Sequence, residues 1–217
     1  MNSDVPDAEL LIAPGCVHCP VVLAGLTELL KKGRIGRLEV FNIAARPDAA
    51  QARGARGVPW IRIGPFEMTG AHSQSELATL VERAGDDSGM RAYLTENLEN
   101  GQLDTVLAAC RRSPQLLRPL LAMAGDLETP FAARIGVGAV IEDLAPDGLL
   151  ADAIDDMIEL AASPHVQVRA DAAHFLGLAG NAQARAVLDR LAHDENHEVR
   201  EIANESLAGH AAQDSTT

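Results

Sequence analysis

The sequence predicts two domains of different class, an α/β domain on a four-stranded mixed sheet followed by an all-α solenoid of stacked helix pairs. Three observations carry this. Strand-like and helix-like stretches alternate from Glu9 to Ala84, and beyond that point strand signals vanish while helical periodicity continues almost to the end. The later part matches itself at an offset of 31 residues. Charge divides at the same place: residues 1–85 hold nine Lys+Arg and nine Asp+Glu, whereas the remainder holds nine Arg against twenty-two acids and carries the whole net charge of −13. The expected organisation is an α/β domain over 1–85, a linker at 86–89, a helical-repeat domain over 90–211 and a disordered tail at 212–217.

Taken in order, the first element is the apolar run Glu9 to Ala13, a strand ended by Pro14-Gly15. A helix follows from about Pro20 to Lys32. Proline suits its first turn, Val22, Leu23, Leu26, Leu29 and Leu30 form an apolar stripe, and Lys31, Lys32 and Gly33 supply stop signals. Leu38 to Ile43 reads as a second strand and Asp48 to Arg53 as a short helix. Pro59 to Ile63 reads as a third strand, paired through a Gly64-Pro65 turn with Phe66 to Thr69, and Ser75 to Arg83 as a closing helix. Crossover helices between the first strands imply parallel pairing, and the tight turn implies an antiparallel hairpin at one side.

Past Asp86-Asp87-Ser88-Gly89 the clearest signal is the self-match. His165-Val166-Gln167-Val168-Arg169-Ala170-Asp171-Ala172 aligns with Asn196-His197-Glu198-Val199-Arg200-Glu201-Ile202-Ala203, and Leu176 and Leu207 keep the step. A weaker copy begins at Ala133-Arg134, with Val137 and Ile141 in the apolar places and Asp152 to Leu160 as its second helix. The polar turn, Val-Arg step and small-then-large apolar residues resemble HEAT-type repeats, which implies paired helices stacked into a solenoid. Between 90 and 162 only helical spacing such as Leu103, Val106, Leu107 and Cys110 extends the pattern.

A length of 217 residues accommodates two modest domains, and 47% apolar with 23% charged residues is globular, while 3% aromatics favours tightly packed helices. The start is polar and acidic and the apolar runs are short, so neither a signal peptide nor a membrane span is expected and the location expected is cytoplasmic. A neutral first part and an acidic second part argue against nucleic acid as a partner. Three cysteines, two of them in one motif, do not form a secreted disulfide framework; in a reducing compartment such a pair points to catalysis or metal.

Cys16-Val17-His18-Cys19 lies after a strand and at the start of a helix. Unsatisfied N–H groups and the helix dipole there favour a thiolate on Cys16, while Cys19, one turn inside, sits where it can attack a mixed disulfide formed at Cys16. This stretch, Cys16-Val17-His18-Cys19-Pro20, together with Gly57-Val58-Pro59, resembles the thioredoxin and glutaredoxin superfamily over residues 9–84. The resemblance implies a cis Val58-Pro59 bond opposite the cysteines and a Val58 backbone that pairs with a substrate strand. Val17 and His18 resemble the Cys-x-His-Cys of protein disulfide isomerase and of bacterial disulfide-forming enzymes, which implies that His18 stabilises the thiolate. Gly15 stands where thioredoxins often carry tryptophan, and no acidic residue follows Glu9 in the first strand.

The function expected is therefore thiol–disulfide exchange by Cys16 and Cys19 on a protein partner docked by the helical repeats, without membrane or nucleic acid. No cofactor is expected beyond the Cys16–Cys19 disulfide, and no metal. The alternative is a non-enzymatic scaffold with a redox-sensitive or metal-binding CxxC. Cys110 reads as core, His193 and His197 as a turn and not a metal pair, Arg134, Arg169 and Arg200 as structural, and the acids from Glu142 to Glu159 as a solvated face.

Overall fold

A computed structural model describes residues 5–214. Residues 215–217 of the tail expected at 212–217 lie outside the described residues. The chain divides into two compact units, Met1–Met90 and Arg91–Thr217.

The first unit holds β1 (Ala8–Ile12), α1 (Cys19–Lys31), β2 (Leu38–Asn42), α2 (Pro47–Ala52), β3 (Trp60–Ile63), β4 (Phe66–Thr69) and α3 (Gln74–Ala84). The strands form one mixed sheet in the order β2-β1-β3-β4, with β1 parallel to β2 and antiparallel to β3, and β3 antiparallel to β4. Side chains alternate across the strands. Ala8, Leu10, Ile61 and Ile63 pack with Val22, Leu26 and Leu29 of α1 and Leu77 and Val81 of α3; Leu11 and Trp60 pack on the other face with Ala49 of α2. Burying these apolar faces is the dominant drive for the layered arrangement.

Three details adjust the sequence reading. The closing helix begins at Gln74 and not Ser75, because Ser73 is its N-cap: Glu76 N–H donates to Ser73 Oγ at 3.3 Å and Ser73 N–H donates to the Glu76 carboxylate at 2.7 Å. Within the segment read as a linker, α4 (Asp87–Glu99) has already started. Asp86 initiates it by accepting from Ser88 Oγ and, at 3.0 Å, from Gly89 N–H. Gly89 is needed for close approach, since a Cβ there would lie 2.5 Å from Arg83 Cα.

The second unit is helical throughout its described residues. After α4 come α5 (Leu103–Arg112), α6 (Leu117–Gly125), α7 (Phe131–Leu144), α8 (Ile154–Leu160), α9 (Val166–Ala179), α10 (Ala182–Leu191) and α11 (His197–Asp214), with 3₁₀ turns before α6 and between α7 and α8. Helix α6 packs on α7 and α8, and α9 packs on α8, α10 and α11. The 31-residue match has a structural counterpart. Val168 and Val199 are both buried, as are Ala172 and Ala203. Arg169 Nη1 donates to the Ser163 and Pro164 carbonyls at 3.0 and 3.2 Å, and Arg200 Nη1 donates to the Asp194 and Glu195 carbonyls at 2.7 and 3.0 Å. Each arginine thus ties its helix to the turn that precedes it. Arg134 makes a different contact, with Asp171 at 3.0 Å.

Candidate active site

The end of β1 and the start of β3 converge. Antiparallel pairing sets Leu11 opposite Trp60, so the chain leaving β1 toward Cys16 and the chain entering β3 from Val58-Pro59 emerge at one edge of adjacent strands. Gly15, at φ +78°, makes the sharp turn between Pro14 and the cysteine motif. Cys16 N–H donates to the Ala13 carbonyl at 3.3 Å, and His18, the N-cap residue of α1, accepts from Val22 N–H at 3.3 Å through its carbonyl.

Cys16 and Cys19 are joined as a disulfide, with Cα atoms 5.5 Å apart. The two sulfurs have unequal surroundings. Cys19 is 5% exposed and packed at the base of α1, whereas Cys16 is half-buried and Val17, beside it, is 78% exposed. Cys19 N–H donates to Cys16 Sγ at 3.2 Å. A helix-terminal amide aimed at this sulfur, with the positive end of the α1 dipole, stabilises negative charge on Cys16 once the bond is reduced. The His18 side chain is exposed and makes no capping bond.

The Val58-Pro59 bond is cis, as the resemblance implied. Pro59 extends the sheet by accepting from Gly70 N–H at 2.9 Å, and the Val58 side chain packs against the Leu11, Ala49 and Trp60 cluster. Among the described residues, no hydrogen bond uses the Val58 N–H or carbonyl. That leaves one short stretch of backbone able to pair with an extended segment.

A charged cluster on the α2 face of the sheet escaped the sequence reading. Glu9 is held by both Arg53 and Arg62; Arg53 lies 4.5 Å over the Phe41 ring and Arg62 5.7 Å over Trp60. Burial alone would raise the Glu9 carboxyl, but the Arg53 hydrogen bond and the two guanidinium charges outweigh it and hold it below its usual range. The signal available was positional: in an antiparallel pair Glu9 faces Arg62 directly.

The remaining candidates do not join the cysteines. Cys110 is fully buried, and burial pushes its thiol up to about 12 despite the opposing charge of Arg112. His193 Nδ1 lies 3.0 Å from the Asp189 carbonyl, and His197 is 3.6 Å from Glu201. Among the described residues, no three His, Cys, Asp or Glu side chains are grouped so as to hold a metal ion, and no helix is long and apolar enough to cross a membrane. No protein-family model matches the chain, and no curated protein matches it.

Proposed function

We propose that the chain is a cytoplasmic protein thiol–disulfide oxidoreductase of thioredoxin-like fold, with a HEAT-type helical unit that docks its protein partner. The observation that carries this reading is the unequal cysteine pair at the start of α1: a half-buried Cys16 sulfur receiving the Cys19 amide, beside a Cys19 that is nearly enclosed. The sheet order and the position of Val58-Pro59 support it.

In the reducing direction the Cys16 thiolate attacks one sulfur of a partner disulfide, forming a mixed disulfide and releasing the other partner sulfur as thiolate. The Cys19 thiolate then attacks Cys16 Sγ, re-forming the intramolecular disulfide and releasing the second partner thiolate. Two electrons pass from the dithiol to the partner, and the reverse sequence oxidises a partner dithiol. His18 lowers the cost of the Cys16 thiolate, and the Val58 backbone aligns the partner segment.

Insulin reduction driven by dithiothreitol tests the reading. Wild type accelerates precipitation of the insulin B chain and Cys16→Ser does not. A wild type indistinguishable from Cys16→Ser would mean a non-enzymatic scaffold.

A further inference from the structure

Between α6 and α8 runs an open groove of about 600 Å³, bordered by the turn into α9. Leu121 and Val168, both buried, line it with the partly exposed Leu160. Gly125 leaves room for the Leu160 side chain, because a Cβ there would lie 2.7 Å from Leu160 Cδ2.

The rim is acidic in a specific way. Asp126 is already occupied, accepting from Arg91 and, at 2.9 Å, from Glu128 N–H. Asp156 and Glu159, one helical turn apart on α8, are not. The Asp156 carboxylate has only Arg118, at 3.9 Å and with an 84% exposed side chain, too long for a hydrogen bond. The Glu159 carboxylate has no hydrogen bond or ion pair among the described residues. Both belong to the stretch from Glu142 to Glu159, which contains seven acids and no Lys or Arg.

The geometry points to this groove as the docking site for a partner segment that presents an apolar side chain next to a lysine or arginine. The apolar side chain covers Leu160, Ala122 and Ala162, and the cation displaces the loosely held Arg118 from Asp156 and meets Glu159. Apolar contact provides affinity, and the acidic rim supplies orientation and steering toward basic partners. This deepens the proposed function and rests on its view that the helical unit recruits the partner; it does not depend on the chemistry at Cys16.

The test uses the full-length protein and a short fluorescein-labelled peptide of alternating Leu, Lys and Ala, with a counterpart in which Glu replaces Lys. Fluorescence anisotropy should rise with the Lys peptide and not with the Glu peptide. Charge reversal in the groove, Asp156→Lys with Glu159→Lys, should weaken binding at least about tenfold. The same reversal at the same spacing on exposed α4, Glu96→Lys with Glu99→Lys, should weaken it less than about threefold at physiological salt. Ala122→Arg, an exposed position lining the groove, should abolish binding without disturbing the core, as circular dichroism would verify. Equal weakening by the two charge reversals, unchanged binding in Ala122→Arg, or no binding of the Lys peptide to wild type would each overturn the assignment. Reduction of a small aromatic disulfide by the same samples separates the two ideas. Peptide binding without Cys16 turnover sinks the redox reading alone, and turnover without peptide binding sinks the docking site alone.

Discussion

What separates the three cysteines is access to charge stabilisation. Cys16 has a helix-terminal amide and partial exposure, Cys19 is enclosed one turn deeper, and Cys110 lies wholly in the helical core with its thiol raised to about 12. In the native, reduced protein at neutral pH, iodoacetamide should therefore label Cys16 quickly and leave Cys110 unmodified until denaturant is added, as peptide mass mapping would show. Native labelling of Cys110 at a comparable rate would contradict the packing described. His18 leads to a second expectation. On the proposed role of His18, its imidazole stabilises the Cys16 thiolate and with it the dithiol form, so the reduction potential should be less negative than about −270 mV, the thioredoxin value, and His18→Pro should move it downward. Titration against glutathione measures both, and a potential that does not move in His18→Pro removes the tuning role.

Among the elements, Arg169 and Arg200 tie helices to turns. Arg169 holds the carbonyls of its own turn and also meets Asp194 in two hydrogen bonds, at 2.8 and 3.0 Å, so α9 is pinned to the α10–α11 turn. Both side chains are 10% exposed, and removing one partner of such an enclosed pair costs about 3 kcal/mol, so Arg169→Ala should lower stability by that order in urea unfolding. The pair has a pH signature. The Arg169 hydrogen bond holds Asp194 below its usual range, against burial acting the other way. A folded-state value below the unfolded one means that the stabilisation is complete above the unfolded carboxylate range, about 3.9, and is lost as pH falls through the folded value. The stability gap between wild type and Arg169→Ala should accordingly be full near neutrality and shrink in acid; a gap independent of pH would contradict the ion pair. Much of this was legible in the sequence, because strands of alternating side chains and helices with apolar stripes state their own period. The strand run came within a residue or two, and the Val-Arg step marked two buried valines and two arginines that bond the carbonyls of the preceding turn. What stayed hidden depends on distant partners. Asp86 looks like a linker residue until its carboxylate caps α4, Gly89 is explained only by its approach to Arg83, Glu9 only by Arg53 and Arg62, and the groove only by where α6 and α8 meet.

For the whole molecule, the two units differ along the charge boundary: a near-neutral unit bears the cysteine pair, and the acidic helical unit is the one proposed to select partners. On the proposed function, exchange chemistry is local to Cys16 and Cys19, and selectivity follows from the effective concentration of a docked partner. In the proposed cycle Cys16 forms the mixed disulfide and Cys19 releases it. Intact mass spectrometry of Cys19→Ser, after mixing the reduced protein with a small disulfide-bonded peptide, tests this division of roles. A persistent one-to-one adduct mapped to Cys16 is expected, in contrast to wild type, which should pass through the adduct and end as free peptide thiol with the Cys16–Cys19 disulfide restored. An adduct on Cys110, or none while Cys16 remains open to alkylation, would contradict it.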